Sequence, residues 1–483
     1  MQSTISRRHL LKASLFVTGG ILAACAPKVV TETVVVEREV EKIVEVEKEG
    51  EQVIVEKEVE RIVEVDRAAE RAAAIAGNLI WDTFRGIGSG WNEERVETFE
   101  EMYPNVKIEF RPLVSASQQE NYGKMYAMHA AGDLGDICAF DPSHFHFWRA
   151  INANILLPLD ELMDADGLNL DEWFSQFIEM QRYQGKIYGL PSWGWSGQDA
   201  FAINLHHFEE LGIEPPEPTA YDTSMETIGE WARRFYQAGA GPGEVERYGI
   251  ACVFGEQGVP ILRAFGGEYI NEEGTQSLVL EDGARAGLKW LYDLYVTDRV
   301  APAPGDLAGG NQAGWADGRL TISNVGSLSS INHQKAIQDA SVAKLGNMFF
   351  PLHNGNIPSQ IRGGTWNVHV STQAPEAAYL FVKHIAGREG TVGFNLVGNN
   401  GALTRPDVLP ILTGANPIYG WFVNNLQNGM AIHQPANSRG REFTDAAAQW
   451  QAAMMDPHQP VPFEQGLQEL HDNIQMVLDM PAP

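Results

Sequence analysis

Cysteine is nearly absent, three in 483 residues, which excludes a disulfide-stapled scaffold. Basic residues are scarce as well: 35 Lys and Arg face 63 Asp and Glu, for a formal net charge of −28. Gripping a phosphate backbone needs clustered Lys and Arg, so nucleic acid is excluded as the main partner. The stretch 13–24 is apolar but shorter than the roughly 20 residues a spanning helix requires. Catalytic signatures are missing too. No G-x-x-x-x-G-K-[ST] or H-E-x-x-H occurs. Residues 86–91 (GIGSGW) carry Trp91 where a dinucleotide loop needs its third glycine. Ser196 lacks the second glycine of a nucleophile elbow. His144 and His146 stand two apart, off one helix face, with no Cys or acidic cluster to complete a metal site. Neither a metal nor a cofactor is expected. Carboxylates are plentiful, so a glycosidase pair stays open.

What remains falls into three segments. Residues 6–12 (SRRHLLK) resemble a twin-arginine export signal, and 22–25 (LAAC) resemble the bacterial lipobox. Together with the apolar stretch between them, they predict a signal peptide over 1–24 and lipidation of Cys25. The body would then lie outside the cytoplasmic membrane, tethered to it by lipid.

The second segment, 25–76, reads as a charged stalk. Between 29 and 76 there is no aromatic residue, and VEREVEKIVEVEK (36–48) recurs 19 residues later as VEKEVERIVEVDR (55–67). Val36, Val40 and Ile43 follow helical spacing, whereas 44–46 and 53–55 alternate like strands. Nineteen is not a multiple of seven, so a heptad seam loses phase between the copies. A solvated spacer and a short coiled coil both stay open.

From Asn78 onward, strand-like and helix-like stretches alternate, the pattern of an α/β protein. Strands are predicted at 78–84, 106–112 and 136–140, and helices at 92–103 and 122–131. Asp141-Pro142 reads as an N-cap followed by proline at the first helical position. Cys138 and Cys252 lie in apolar runs and read as buried small hydrophobes.

A series of phrases in this body resembles the extracellular solute-binding proteins of ABC importers, the family that includes many sugar binders. They include 130–137 (AAGDLGDI), 157–160 (LPLD), 185–191 (GKIYGLP) and 203–213 (INLHHFEELGI). Further on come 315–327, 363–366 (GGTW) with 375–386, and 401–408 (GALTRPDV). Gly135 stands where the family usually has proline, and Ile203 where it has an aromatic.

The resemblance implies a periplasmic-binding-protein-like fold of two α/β lobes joined by a multi-segment hinge, with the ligand cleft between them. By the family's topology, 77–188 and 363–415 form one lobe, and 189–362 and 416–483 the other. Crossings would fall near Gly189-Leu190-Pro191, Gly363-Gly364 and 414–417. It further implies a small-molecule solute, most readily a carbohydrate, an ABC permease as partner, and a monomeric body with no catalytic role. A carbohydrate-active enzyme and a non-transport surface lipoprotein are the alternatives.

Sugars present apolar C–H faces and many hydroxyls, so flat aromatics and hydrogen-bonding side chains are the expected lining. On the family's pattern the candidates are Trp81, Asp82, Asp141, Trp193, Trp195, Asn324, Arg362 and Trp366. Three have plain alternatives: core packing for Trp81, helix capping for Asp141 and bracing of the hinge for Trp366.

Overall fold

The computed structural model describes residues 70–483 apart from 242–243, 304 and 398–402. The export signal, Cys25 and the stalk as far as residue 69 lie outside the described residues. Residues 70–74 are helical. A separate compact unit runs from Ile75 to Pro483. Ile75 is already buried in its core, so the body starts slightly before the expected boundary at 77.

Two five-stranded sheets organise this body. The first is ordered β2-β1-β3-β12-β6. Strands β1 (Gly77–Thr83) and β2 (Val106–Pro112) pair in parallel, and β1 also pairs in parallel with β3 (Ile137–Cys138). A minor hairpin of β4 (Arg182–Tyr183) and β5 (Lys186–Ile187) precedes β6 (Leu190–Ser196). Strand β12 (Ile361–Val368) lies antiparallel to both β3 and β6.

The helices here obey local rules. Gln118–Ala131 begins at Ser117, whose side chain accepts from the Glu120 amide, and ends at Gly132 in the left-handed conformation. The expected strand at 136–140 shortens to two residues. Asp141 does stand at an N-cap with proline after it, but of a single 3₁₀ turn, Pro142–His144, and its carboxylate makes no capping bond.

The second sheet is ordered β11-β7-β10-β9-β8. It comprises β7 (Ala200–Asn204), β8 (Gln237–Ala238), β9 (Val245–Ala251), β10 (Leu320–Val325) and β11 (Leu345–Phe349). β7 and β10 are buried along their whole length, as strands covered on both faces should be. Helix Met225–Phe235 turns Met225, Ile228, Ala232 and Phe235 inward at helical spacing. The C-terminal helices Gly440–Met454 and Phe463–Leu478 complete the same core.

The lobes are therefore divided differently from the sequence expectation. β6 belongs to the first sheet, so the chain first crosses at 197–199 and not at 189–191. The return crossing is 350–360, before β12. Gly194 and Gly363 face each other across the β6–β12 pair. A Cβ on Gly194 would stand 2.1 Å from Phe177, and one on Gly363 3.1 Å from it. These strand glycines make room for a ring packed on the sheet; they do not mark hinges.

Candidate functional site

β3 delivers the chain to Asp141, whose side chain is wholly buried. Its Oδ2 accepts from the Tyr122 hydroxyl at 2.7 Å and pairs with the Arg85 guanidinium, while Oδ1 accepts from the Thr365 amide at 3.0 Å. The carboxylate thus ties the loop after β1, the helix 118–131 and strand β12 to one point. Burial lowers the Arg85 pKa to about 10 and raises that of Tyr122. His144 Nδ1 lies 3.7 Å from Asp141. Burial, then the charges of Arg85 and Arg362, hold His144 well below its usual pKa and so neutral.

Above this pair stands an aromatic stack. Trp193 and Trp195 are two apart on β6 and so share a face of the strand. Their rings stack with centroids 4.1 Å apart and planes 15° from parallel. The Arg85 guanidinium lies 4.8 Å from the Trp193 ring centre and 4.8 Å from that of Phe84. Trp193 is enclosed, whereas Trp195 is half-buried and is the member of the stack left partly open. Gly364 is required beside it, since a Cβ there would fall 2.1 Å from Trp193 Nε1 and 2.5 Å from Asp141 Oδ1.

Arg362 sits opposite Trp195 across the β6–β12 pair. One guanidinium nitrogen pairs with Glu256 of the 3₁₀ helix Gly255–Gly258, and another donates to the Ser143 carbonyl at 2.7 Å. Gln360 Nε2 donates to the same Glu256 carboxylate at 2.7 Å. Glu256 Oε2 is buried without a hydrogen-bond partner among the described residues, and burial raises the Glu256 pKa despite Arg362.

Four of the expected ligand residues come together here: Asp141, Trp193, Trp195 and Arg362. The other four are engaged elsewhere. Trp81 is fully enclosed by Trp91, Phe110, Trp366 and Phe381, with ring centroids 5.1 to 5.9 Å away. Trp366 is equally buried in that core. Asp82 receives two bonds from Arg111, at 2.7 and 2.6 Å, and one from the Gly135 amide at 2.7 Å. Asn324 donates to the carbonyls of Gln198 and Ala200, at 2.8 and 3.0 Å, clamping the first crossing.

Sequence reasoning missed Arg85, Tyr122 and Glu256. Only Arg85 had a visible signal, a lone cation placed directly after the first strand and before a glycine-rich turn. Among the described residues no group of three His, Cys, Asp or Glu is placed to hold a metal, and no helix is long and apolar enough to cross a membrane.

Residues 81–392 match the family model described as bacterial extracellular solute-binding protein. The chain belongs to that family. Its members are binding proteins that act outside the cytoplasm. No curated protein matches the chain in sequence. Its fold is similar to that of the UgpB protein of Mycobacterium tuberculosis, solved with glycerophosphocholine. That match has a TM-score of 0.68 at 14% identity and covers 84% of this chain and 99% of that one. An ABC substrate-binding protein from Listeria monocytogenes, solved with cycloalternan, superposes with a TM-score of 0.66 at 17% identity, covering 83% and 99%. The GacH receptor of Streptomyces glaucescens, solved unliganded and with acarbose, gives 0.65 at 16%, covering 84% and 100%.

Proposed function

We propose that this solute-binding protein captures a sugar or oligosaccharide between its two lobes and hands it to an ABC permease. The observation that carries the reading is the Trp193–Trp195 stack, one ring half-open, set beside the buried Asp141–Arg85 pair. A flat ring next to fixed hydrogen-bonding groups suits a ligand with apolar C–H faces and hydroxyls. Relatives of the same fold solved with cycloalternan, acarbose and maltose support a carbohydrate.

Within this reading Trp195 is the stacking platform, while Trp193, Asp141 and Arg85 hold it in place. Arg362 joins the lobes through Glu256. Trp81, Trp366, Asp82 and Asn324 serve the scaffold. Cys25 carries the lipid anchor, and the repeat-bearing stalk lifts a monomeric body from the membrane.

The test is thermal shift of the purified protein against sugars, oligosaccharides, polyols, glycerophosphocholine, amino acids and polyamines. Stabilisation by a carbohydrate is expected. Stabilisation by another class alone would overturn the sugar reading and leave solute capture standing. Lipid labelling of intact cells, lost on Cys25→Ser, tests the anchor.

A further inference from the structure

Phe145 is rooted in one lobe and buried in the other. It follows the 3₁₀ turn Pro142–His144, and its amide donates to the Pro142 carbonyl at 2.9 Å. The neighbouring His146 stacks on Tyr122 of the first-lobe helix 118–131, with ring centroids 4.0 Å apart, so the segment is anchored there. The Phe145 ring, however, belongs to the second lobe's core. Every other buried member of that cluster lies between Phe201 and Leu478.

Its seat is Gly440, the first residue of the helix Gly440–Met454. A Cβ on Gly440 would fall 2.2 Å from Phe145 Cδ1 and 2.4 Å from its Cβ and Cγ. Phe145 also has a φ of 62°, a backbone state that a bulky residue rarely adopts unless its surroundings hold it there. Beside it, Asn152 of the first lobe donates to Ser438 Oγ of the second at 2.8 Å.

We propose that Phe145 is an interlobe latch: a first-lobe ring seated in a glycine socket of the second lobe, which adds to the stability of the closed arrangement. A single buried aromatic is a discrete, two-state contact, either seated or withdrawn, which is what a switch between closed and open lobes requires. The latch contributes to the closed state whatever the solute is, and so does not depend on the sugar reading.

The test measures lobe separation without ligand by spin-label distances. The probe is the full chain with Cys25→Ser and labels at Lys124→Cys and Gln465→Cys, both exposed positions. The parent should populate the short distance beside a longer one. Phe145→Ala and Gly440→Ala should each deplete the short-distance population several-fold. Their combination should deplete it no further, because both remove the same contact. Gly440→Ala guards against simple misfolding, since alanine ordinarily favours a helix over glycine. Its melting temperature should hold while the lobes separate. A parent with no short-distance population, or a Gly440→Ala protein with the same distance distribution as the parent, overturns the proposal.

Discussion

At Asp199 burial and hydrogen bonding pull in opposite directions. The residue sits in the first crossing, where Ser196 Oγ donates to it at 3.1 Å and Asn425 Nδ2 at 2.8 Å. Burial is the larger effect and raises its pKa from 3.8 to about 7. The folded chain therefore holds this proton more tightly than the unfolded one. The stability it contributes is fully present below about pH 4 and is lost as the pH rises through about 7. Complete ionisation corresponds to about 4 kcal/mol, at 1.36 kcal/mol per unit. Asp199→Asn should melt later than the parent at pH 8 and flatten the fall in melting temperature between about pH 4 and 7. Parallel melting curves for the two proteins would contradict this assignment.

The tryptophans divide at the same scale. Trp195→Ala should weaken carbohydrate binding about 10- to 100-fold, the loss of one stacking platform, with little change in melting temperature. Trp81→Ala should instead cost about 3–5 kcal/mol of stability, as a large ring removed from a packed core. Part of this was legible beforehand. Adjacent residues of a strand point to opposite faces, so Trp81 and Asp82 could not both have faced one cleft. The partners of Asp141 were not legible. Arg85 is 56 positions away and Thr365 is 224, and no local pattern encodes contacts of that range.

At the scale of elements, the glycines carry the lesson. Gly363 looked like a hinge residue because glycine tolerates large dihedral changes. In the structure it lies inside a paired strand opposite Gly194, and what both supply is the absence of a Cβ beneath Phe177. Gly194→Ala should therefore destabilise the body by about 1–3 kcal/mol through overpacking. Phe177→Leu in the same chain should restore part of the loss, because the smaller side chain vacates the contact. A double variant no more stable than Gly194→Ala would contradict this. Strands β1 and β2 and the capped helix 118–131 were readable because alternation, caps and terminal glycines are local signals. The antiparallel pairing of β6 with β12 joins segments about 170 positions apart. It decides where the lobes divide, and hydrophobic pattern carries no trace of it.

At the scale of the whole molecule, two sheets each have a core of their own and share a third, in which Phe177 and Ile361 pack with Ala200, Val325 and Phe349; the stack and the buried ion pairs gather where the chain crosses between them. Such an arrangement can close on a ligand at low cost if each lobe stays rigid, so a solute need only favour the closed form by a few kcal/mol. A dissociation constant near micromolar, about −8 kcal/mol, would suit both capture and release. The order of family phrases along the chain made the two-lobed class readable, while the local chemistry of the cleft rests on contacts between segments far apart in sequence.

Carbohydrate binding through Trp195 beside the Asp141–Arg85 pair is the proposed activity of the cleft. Titration calorimetry of maltose and longer oligosaccharides into the purified protein and its Trp195→Ala variant tests it most directly. Saturable binding by at least one of these carbohydrates is expected, weakened at least tenfold by the substitution. Equal affinity in both proteins, or no heat from any carbohydrate while another solute class binds, would contradict it.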